Sequence, residues 1–476
     1  MEMKNREKCA KLHGTKLGRT TMRPTTVVAM CKSGRLDAIA EALLKGAGPV
    51  DLYILSEVNN PGLAKKAKRV VHPVKTDDRH EVAKIVGEIN PDFVVIGPEE
   101  PLAAGVVDEL RRFGIPCVGP TQKLAQLETS KSFTRELLTK YGIPGNPRYC
   151  VFRSLEGIAE CLQSMDSFVV KPDGLTGGKG VKVFGEHLHS IEEAVRYCAE
   201  IFELGQPAVV IEEKLDGEEF SFQSFFDGKH IVHTIPVQDH KRAKDGDTGP
   251  NTGGMGSYSC ADHLLPFLTR DQLQEAGEIN RLVGEAVSGE IGEEYKGILY
   301  GGFMLTKDGL RVIEYNARFG DPEVMNVLPL LQTDFVEVCK AIIHGTLDEL
   351  TVRFKHQATV CKYVVPEAYP GKSIRQDEIK LDAATRVPGL DERLRMYYAA
   401  VSEKDGKLYL TGSRAVAFVG IANTLFEAEK IAEEAARLVE GPVFHRRDIG
   451  TTELIQKRVN HMQRIEGRLP LHRAAG

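Results

Sequence analysis

Short apolar runs alternate with helical stretches at the start of this chain, and that alternation limits the possible folds more than any other feature. Three such pairs follow one another: Val27–Met30 with Leu36–Lys45, Asp51–Leu55 with Leu63–Arg69, and Asp92–Ile96 with Ala103–Arg112. Strands rich in Val and Ile that alternate with helices build right-handed βαβ units around a parallel sheet. The sequence therefore predicts an α/β domain over residues 27–125, in which the loops after the strands face a ligand.

Length, charge and cysteine content narrow the class of protein. The 476 residues correspond to about three domains. A net charge of −5, from 62 Lys and Arg against 67 Asp and Glu, argues against a nucleic-acid or membrane-surface binder. Residues 1–26 are basic and hold no apolar run that suits a signal peptide or a membrane span, so we expect a disordered extension there, or a start codon assigned too early. Nine cysteines without C-x-x-C spacing favour reduced thiols in a cytoplasmic protein.

Beyond the turn residues at 142–147 the pattern changes to longer strands joined by hairpins. The predicted central strands are Ser167–Lys171, Gly180–Phe184, Ala208–Glu213, Glu219–Phe226 and Ile231–Val237, and the predicted helices are Ser190–Leu204 and Arg270–Ser288. A third segment, from about Phe354, has predicted strands at Ala358–Val365, Lys407–Leu410 and Arg414–Val419 and an amphipathic helix at Leu425–Val439. We therefore expect an α+β central part with an antiparallel or mixed sheet, followed by a mixed C-terminal part.

A glycine-rich connection joins two of these strands. Residues 171–181 read KPDGLTGGKGV, and glycines let the backbone approach a ligand with its N–H groups pointing inward. The connection runs from strand to strand, so it is not the strand-to-helix phosphate loop G-x-x-x-x-G-K-[ST]. A phosphate cradle is favoured over a flexible hairpin tip, because lysines flank the glycines.

Two other loops hold polar residues. Residues 238–256 form a long stretch without apolar periodicity, and such a connection is usually functional or disordered. Its basic cluster and its Asp, Asn, Thr and Gly residues favour a substrate loop that binds an anion, whereas His240 by itself is more often structural. In the second loop, Gly97–Pro101, spacing alone favours a plain turn with solvated acids.

The strongest signal for a site is the segment VIEYNARFGDPE at residues 312–323. On a strand, Glu314 and Asn316 project from the same face. A carboxylate beside an amide oxygen suits a hard cation such as magnesium, which takes further ligands from nucleotide phosphates. Arg318 continues on that face and could stabilise negative charge on oxygen. The alternative is the wet side of an ordinary strand, which the apolar flanks make less convincing.

Taken together, these segments and several others resemble one known family. The matching strings are GPE at 97–99, ETSKSF at 128–133, KPDG at 171–174, GGKG at 177–180, EEKLDGEE at 212–219, DHKR at 239–242, DTGPNTGGMG at 247–256, RFGDPE at 318–323 and RDIG at 447–450. They resemble the phosphoribosylamine–glycine ligases (glycinamide ribonucleotide synthetases), a family of the ATP-grasp superfamily. The RFGDPE string is close to diagnostic of that family, and the similarity extends from about Val27 to about Met462.

The resemblance implies a multidomain fold that combines α/β and α+β parts. A Rossmann-like domain would span residues 27–125, and the ATP-grasp domain would span 126–353, with a small lobe at about 150–216. A mixed α/β C-terminal domain would span 354–462, and residues 463–476 would form a tail.

The resemblance also implies roles for individual residues. Lys131 and Lys171 would contact the ATP phosphates under a loop of Gly177, Gly178, Lys179 and Gly180. Glu212, with the backbone near Glu213 and Leu215, would bind adenine, and Glu219 would bind the ribose. Glu314 and Asn316 would ligate magnesium, with manganese as an alternative. The predicted catalytic residues are Arg318, Lys171 and Asp239, and the predicted substrate residues are Arg35, Lys241, Asn251, Thr252, Gly253, Gly254, Met255, Arg318 and Asp321.

The implied reaction joins glycine to phosphoribosylamine at the expense of ATP, through a glycyl phosphate, in de novo purine biosynthesis. A carboxylate–amine ligase of this kind needs no nucleophilic side chain, which agrees with a sequence that has no Ser-His-Asp or Cys-His arrangement. Its partners would be small molecules only, its location cytoplasmic, and its expected state a monomer.

One segment departs from the family pattern. Residues 31–37 read CKSGRLD, where the family has a glycine-rich turn followed by Arg-Glu-His that helps to form the pocket for the phosphoribosylamine phosphate. Lys32, Ser33 and Arg35 at a helix N-terminus could still bind an anion. A related ligase with a different amine acceptor, and a non-catalytic nucleotide-binding protein, therefore stand as alternatives.

Overall fold

The N-terminal part is a five-stranded parallel sheet flanked by helices. The computed structural model describes residues 23–30, 33–175, 180–371, 376–387 and 392–468. The sheet has the order β3-β2-β1-β4-β5, and every neighbouring pair is parallel. Its elements are β1 (Thr25–Met30), α1 (Gly34–Leu44), β2 (Val50–Leu55), α2 (Pro61–Lys66), β3 (Arg69–Val71), α3 (Arg79–Ile89), β4 (Phe93–Ile96), α4 (Glu99–Ala103), α5 (Val106–Arg112) and β5 (Cys117–Val118). The predicted parallel α/β arrangement is confirmed.

Two details of this part differ from the sequence prediction. Strand β1 begins at Thr25, two residues before the predicted start. The predicted helix Ala103–Arg112 is replaced by the two short helices α4 and α5, and α4 begins at Glu99 inside the loop that was expected to be a plain turn. Carboxylates in the first turn of a helix interact favourably with its dipole, which explains why residues 99 and 100 can begin a helix.

The next part contains a small antiparallel lobe. Its elements are α6 (Gln126–Thr129), α7 (Lys131–Lys140), β6 (Tyr149–Phe152), α8 (Ile158–Gln163), β7 (Phe168–Pro172), β8 (Lys182–Val183), α9 (Ile191–Glu203) and β9 (Val209–Glu213). The sheet order is β6-β9-β7-β8, with antiparallel pairs throughout. Side chains such as Phe168, Val170 and Ile201 form a core that is separate from the main core of the protein. The small lobe therefore packs as a unit of its own.

A larger antiparallel sheet follows, with the order β11-β10-β16-β17. The elements of this stretch of chain are β10 (Gly217–Asp227), β11 (Ile231–His233), β12 (Gln238–Asp239), β13 (Arg242–Lys244), β14 (Thr248–Asn251), β15 (Gly256–Ser259), α10 (Arg270–Ile291), β16 (Lys296–Thr306), β17 (Gly309–Asn316), α11 (Val324–Val327) and α12 (Phe335–His344). Strand β17 carries a bulge, because Gly302 pairs with Glu314 and Phe303 with Val312, which leaves Ile313 as the extra residue. A bulge bends a strand and changes the direction of the neighbouring side chains.

The C-terminal part is built around a sheet with the order β12-β15-β18-β23-β20, whose first two strands come from the central part of the chain. Its own elements are β18 (Ala358–Pro366), β19 (Glu378–Ile379), β20 (Leu394–Tyr398), β21 (Val401–Lys404), β22 (Lys407–Leu410), β23 (Val416–Ala422), α13 (Leu425–Ala436), β24 (Val443–Phe444) and α14 (Thr452–Ile465). Strands β12 and β15 come from the polar stretch at 238–256 and its continuation, so that stretch is anchored to the C-terminal sheet. Among the helices of the described residues, none has the length and apolar character needed to cross a bilayer.

Close contact between β23 and α13 at Gly420 gives a stability prediction. A Cβ atom at Gly420 would overlap the carbonyl oxygen of Ala428, which belongs to the helix backbone and cannot swing away. We expect Gly420→Ala to lower the free energy of unfolding by roughly 2–3 kcal/mol, measured by urea denaturation. Gly87, inside α3, has open space around the Cβ position, so Gly87→Ala is the control and should stabilise by about 0.5–1 kcal/mol. Equal effects of the two substitutions would contradict this interpretation.

Candidate functional site

One cleft on the larger antiparallel sheet brings together several of the predicted site residues. It is lined by Glu219, Phe220, Ser221, Asp239, Lys241, Tyr300, Gly302, Ile313 and Glu314. Strands β10, β16 and β17 supply most of these residues, while Asp239 and Lys241 arrive from the segment that is anchored on the C-terminal sheet. Residues far apart in the sequence, predicted to bind the ribose, metal and substrates, therefore share one cleft.

Glu314 is the central carboxylate of this cleft. It lies directly after the bulged residue Ile313, and its carboxylate oxygen is 3.7 Å from Lys241 Nζ. Burial would raise the pKa of Glu314, but the cations Lys241, Lys171, Lys131 and Arg318 hold it at about 2. Glu314 is therefore ionised at neutral pH.

The donor set around Glu314 suits a hard divalent cation. Asn316 follows on the same strand and ends it, so an amide oxygen is available beside an ionised carboxylate, and such oxygens are ligands that magnesium prefers. Gly302 lies opposite Glu314, where a Cβ atom would come within 3.3 Å of Glu314 Cγ. Glycine at 302 thus keeps space beside the carboxylate, and the residues present fit a magnesium site.

Lys171 and Glu212 form a buried ion pair at the edge of the small lobe. Lys171 Nζ donates to Glu212 Oε2 at 2.7 Å. Arg135, on α7, donates to both oxygens of the same carboxylate, from Nε at 2.8 Å and from Nη2 at 3.0 Å. Burial would raise the pKa of Glu212, but Arg135 and Lys171 hold it at about 2. The predicted adenine residue and the predicted phosphate residue are therefore fixed together.

Lys131 occupies the first turn of α7 and faces the same region. Its Nζ donates to the carbonyl oxygen of Gly174 at 3.1 Å, at the start of the glycine-rich connection. Burial lowers the pKa of Lys131, and the Glu314 carboxylate opposes that shift. Asp173 fixes the connection to α7 by accepting from the Ser132 backbone N–H at 2.6 Å. Lys131 and Lys171 thus both lie near Glu314, as a phosphate site requires.

Arg318 lies just beyond the end of β17 and is held by two carboxylates. Its Nε donates to Glu99 Oε2 at 3.1 Å, and its Nη2 is 2.7 Å from Glu128 Oε1. Burial opposes ionisation of Glu99, but Arg318 and Arg35 hold the pKa of that carboxyl at about 2. The expectation of solvated acids in this loop is wrong for Glu99, because tertiary contacts bring the loop against Arg318.

Asp239 lies beside Lys241 in a more acidic environment. Burial and the nearby Glu323 raise the pKa of Asp239 well above its usual range, while Lys241 opposes the shift. One of its oxygens accepts from the His240 backbone N–H at 2.7 Å. Asp239 is thus a carboxyl group that can carry a proton within the cleft.

The predicted substrate loop, residues 251–256, is held by an arginine of the C-terminal domain. Arg414 Nη1 donates to the carbonyl oxygens of Gly253, at 2.7 Å, and Asp321, at 2.9 Å. Its guanidinium carbon lies 4.5 Å from the centre of the Tyr363 ring. Thr252 accepts a bond from Gly254 N–H and donates to Lys241 O at 2.9 Å, so the loop is fixed against the cleft.

Two further predicted substrate residues, Arg35 and Asp321, are buried and close enough for the Arg35 charge to lower the pKa of Asp321. Asp321 Oδ1 accepts from the Tyr363 hydroxyl at 2.7 Å, and Arg414 Nη2 is 3.3 Å from it. Arg35, in the first turn of α1, donates to the Gly97 carbonyl oxygen at 2.6 Å and is 3.6 Å from Glu99 Oε2. Both side chains are therefore bonded to other groups of the protein, Arg35 to a backbone carbonyl and Asp321 to two side chains.

Other predicted residues are less central or fall outside the description. The Met255 side chain is fully buried in the main core, and Asn251 ends β14. Glu213 accepts from the Arg148 backbone N–H, Leu215 is half-buried, and Gly180 accepts from the Tyr197 hydroxyl. The remaining members of the glycine-rich loop, Gly177, Gly178 and Lys179, lie outside the described residues, as does Lys32.

Comparisons with known proteins decide the family. Models of phosphoribosylglycinamide synthetase match as its N domain over residues 25–128, its ATP-grasp (A) domain over 129–324 and its C domain over 359–452. A phosphoribosylamine–glycine ligase of Methanocaldococcus jannaschii is 50% identical over 439 residues, which are 90% of this chain and 97% of the relative. The ligase of Methanocella arvoryzae is 45% identical over 441 residues, 93% of this chain and 100% of the relative.

The chain belongs to the phosphoribosylglycinamide synthetase family.

Solved structures agree with the fold of the family. A phosphoribosylamine–glycine ligase of Thermotoga maritima superposes with a TM-score of 0.74 at 28% identity, covering 89% of this chain and 100% of the other. The biotin carboxylase domain of a Hydrogenobacter thermophilus 2-oxoglutarate carboxylase superposes with a TM-score of 0.67 at 16% identity, covering 93% and 95%. The second likeness concerns the fold alone. The predicted ATP-grasp architecture of the synthetase family is confirmed.

Two arginines at the site were missed by sequence reasoning. Arg135 and Arg414 lie outside the segment 312–323, and no motif marks them. Arg135 lies four residues after Lys131 on α7, and a position one helical turn away is on the same face. That spacing is the signal that could have indicated Arg135, whereas Arg414 is brought in from the C-terminal domain and has no local signal.

A histidine of helix α14 is bonded to the start of β10, and this contact gives a pH prediction. His461 Nδ1 is 2.7 Å from Glu218 Oε1, and Nε2 is 3.2 Å from Asp216 Oδ1. The hydrogen bond to Glu218 raises the pKa of His461 although burial opposes it. The added stability is therefore present below about pH 6.5 and is lost as the pH rises through the folded-state pKa.

We expect His461→Gln to lower the free energy of unfolding relative to the parent near pH 6, and to approach the parent near pH 9. Urea denaturation at a series of pH values measures the difference. His187, which is exposed and lies between β8 and α9 of the small lobe, provides the control in His187→Gln. A His461→Gln deficit that grows with rising pH would show that the sign is wrong.

Proposed function

We propose that this protein joins glycine to phosphoribosylamine, with conversion of ATP to ADP and phosphate, as a step of de novo purine biosynthesis. The observation that carries the proposal is the ionised Glu314 among Lys131, Lys171 and Lys241, beside Asn316. Relatives that cover nearly the whole chain are phosphoribosylamine–glycine ligases, which supports the substrates. Family membership supports an ATP-grasp carboxylate–amine ligase.

The reaction would begin at the carboxylate of glycine. One carboxylate oxygen attacks the γ-phosphorus of ATP, the bond from that phosphorus to the β-phosphate oxygen breaks, and ADP and an acyl phosphate result. The amine nitrogen of phosphoribosylamine then attacks the acyl carbon. The carbon–oxygen bond to phosphate breaks, and the proton lost by nitrogen leaves with the phosphate.

The side chains of the cleft would supply position and charge. Lys131 and Lys171 would hold the phosphates, and Glu314 and Asn316 would hold magnesium, which when bound neutralises charge on the phosphate oxygens. Arg318 is fixed by Glu99 and Glu128, so its guanidinium meets developing oxyanion charge without reorganising. The Asn251–Gly256 loop, Asp239 and Lys241 would border the glycine and amine pockets.

A ligase with a different amine acceptor is the second candidate. The departure at residues 31–37 favours it, and there Arg35 is engaged with Gly97 and Glu99. In this case the ATP site and the carboxylate chemistry would be unchanged, while the acceptor pocket would select another amine.

One assay separates the candidates. Purified protein with ATP, magnesium and glycine receives phosphoribosylamine, a panel of other amines, or no amine, and ADP release is followed. ADP release that requires phosphoribosylamine supports the first function, and release only with another amine supports the second. Absence of ADP release with every amine would contradict both. Replacing magnesium by manganese in the same assay tests the metal.

The cellular setting follows from the same proposal. We place the protein in the cytoplasm as a monomer. The cysteines among the described residues, at 117, 150, 161, 198, 260, 339 and 361, are free thiols, which is typical of reducing compartments. Light scattering of the purified protein measures the oligomeric state.

A further inference from the structure

Arg135 is a buried arginine whose five N–H donors are all used. Besides the two bonds to Glu212, Nη1 donates to the Val312 carbonyl oxygen at 2.9 Å and to Asn146 Oδ1 at 3.4 Å, and Nη2 donates to the Ile313 carbonyl oxygen at 2.7 Å. Its side chain is 2% exposed. An arginine carries five N–H donors in a rigid fork. The surroundings of Arg135 therefore provide an acceptor for every donor of its guanidinium group.

The two carbonyl groups belong to the bulge of β17. Ile313 is the extra residue of the bulge, and Val312 precedes it. A bulged residue is unpaired in the ladder, and the bulge sets the direction of its neighbours. By accepting from Arg135, these carbonyls hold the bulge in the geometry in which Glu314 lines the cleft.

The carboxylate partner belongs to the other lobe. Glu212 lies on β9 of the small-lobe sheet, and Lys171 lies on the neighbouring strand β7. Val312 and Ile313 belong to the larger sheet. Arg135 on α7 is therefore bonded at once to the strand that carries the predicted adenine residue and to the strand that carries the predicted metal ligands. The separation between the two lobes must stay fixed for one nucleotide to reach both sets of residues.

We propose that Arg135 is a positioning residue for ATP: it joins Glu212 of the small lobe to the Val312–Ile313 bulge of the larger sheet, and so sets Lys171 and Glu314 at the separation that magnesium–ATP requires. This inference rests on the proposed function only in its choice of nucleotide. It assigns Arg135 no contact with substrate, and its effect passes through Glu212 and the bulge.

Arginine is required here because of its shape. A lysine at 135 keeps the charge but has three donors on one nitrogen atom, which cannot reach both Glu212 oxygens and the two carbonyls on another strand. Arg135→Lys should therefore keep the protein folded but weaken the connection between Glu212 and the Val312–Ile313 bulge. We expect the dissociation constant for magnesium–ATP to rise about tenfold or more, since a positioned charged hydrogen bond typically contributes that much.

The first test is direct binding of magnesium–ATP by titration calorimetry, without other substrates. The parent and Arg135→Lys are compared with the control Arg395→Lys. Arg395 is also mostly buried, and its Nε is 2.9 Å from Glu41 Oε1. Neither residue of this pair lines the cleft. The expected result is weaker nucleotide binding in Arg135→Lys alone. Parental affinity in Arg135→Lys, or an equal loss in the control, would overturn the proposal.

Steady-state kinetics provide a second readout. We expect Arg135→Lys to raise the KM for ATP and to lower kcat, while the KM for glycine stays within about twofold of the parent. A general loss of stability would instead scale down kcat alone by reducing the active fraction. If Arg135→Lys does not fold, Arg135→Gln, whose side chain is polar but shorter and uncharged, takes its place in every measurement.

The pH dependence of ATP binding gives a third readout that a merely structural residue would not change. The groups around Glu212 are Arg135 and Lys131 on α7, Lys171 on β7 and Tyr149 opposite it on β6. Without Arg135, only Lys171 opposes the effect of burial, and the pKa of Glu212 rises. Arg135→Gln should therefore bind ATP more weakly as the pH falls, and the double variant with Glu212→Gln should lose that dependence. A flat profile in Arg135→Gln would overturn the proposal.

These measurements remain decisive if the proposed reaction is wrong. If the protein ligates another amine and not phosphoribosylamine, the first proposed function fails, but magnesium–ATP binding by Arg135→Lys still tests the role of Arg135. If Arg135→Lys behaves as the parent while phosphoribosylamine is ligated, the inference fails and the function stands.

Discussion

Glu314→Gln is expected to reduce turnover below about one thousandth of the parental rate, because the site loses its ionised metal ligand. The amide has nearly the same shape, so packing at the bulge is kept. The change removes the negative charge that Lys241, Lys171 and Lys131 surround. Positive charge in the cleft would then be unbalanced and the cation poorly held. ADP release at saturating ATP, glycine and amine measures the effect.

A control and a fold measurement accompany this variant. Glu275→Gln changes an exposed glutamate on α10 and should retain the parental rate. Circular dichroism and thermal unfolding should place Glu314→Gln within a few degrees of the parent. Undiminished turnover in Glu314→Gln would remove the metal assignment.

Arg318→Lys is expected to lower kcat by roughly 100-fold or more, although the charge is kept. Arg318 bonds Glu99 through one side of its fork and Glu128 through the other. A single ammonium cannot maintain both contacts with the same orientation, and one carboxylate is left without its donor. The Glu128 carboxylate also accepts from the Ala317 backbone N–H at 2.8 Å. In Arg318→Lys we therefore expect the backbone at Ala317 to be less firmly held.

Arg311→Lys is the matched control, since Arg311 lies on β17 but donates to the backbone carbonyls of Asp308 and Leu310. It should change kcat by less than about twofold. Single-turnover formation of ADP measures the loss in the first half-reaction of Arg318→Lys, and single-turnover formation of the amide measures the loss in the second. A parental kcat in Arg318→Lys would contradict its assignment to oxyanion charge.

Much of the fold could be predicted because the signals are local. The alternation of apolar runs and helical stretches predicts the parallel sheet, and the change in pattern after residue 147 agrees with the antiparallel sheets of the central part. Boundaries were less accurate where short-range and tertiary effects compete. Residues 99–112 were predicted as a turn and one helix, whereas the structure has α4 and α5, and Glu99 at the start of α4 is paired with Arg318.

The candidate site divides in the same way. Glu314 and Asn316 were predicted from a two-residue spacing on a strand, which follows from the pleat alone. Their direction depends on the bulge at Ile313, which arises from pairing with β16 and from the bonds of Arg135. Spacing within β17 cannot indicate such a bulge, because it depends on pairing with another strand and on bonds from Arg135, which lies more than a hundred positions earlier in the chain. The individual roles in binding ATP, metal and substrates remain predictions.

The sequence by itself determined the parallel sheet, the glycine-rich connection between strands and the carboxylate–amide pair, since each depends on the periodicity or conformational freedom of neighbouring residues. Only the tertiary structure decided that Arg135, Arg414, Glu99 and Glu128 belong to the site. Those residues act through buried ion pairs between distant segments of the chain, and the charges in such pairs are stable only when folding brings both partners out of water together.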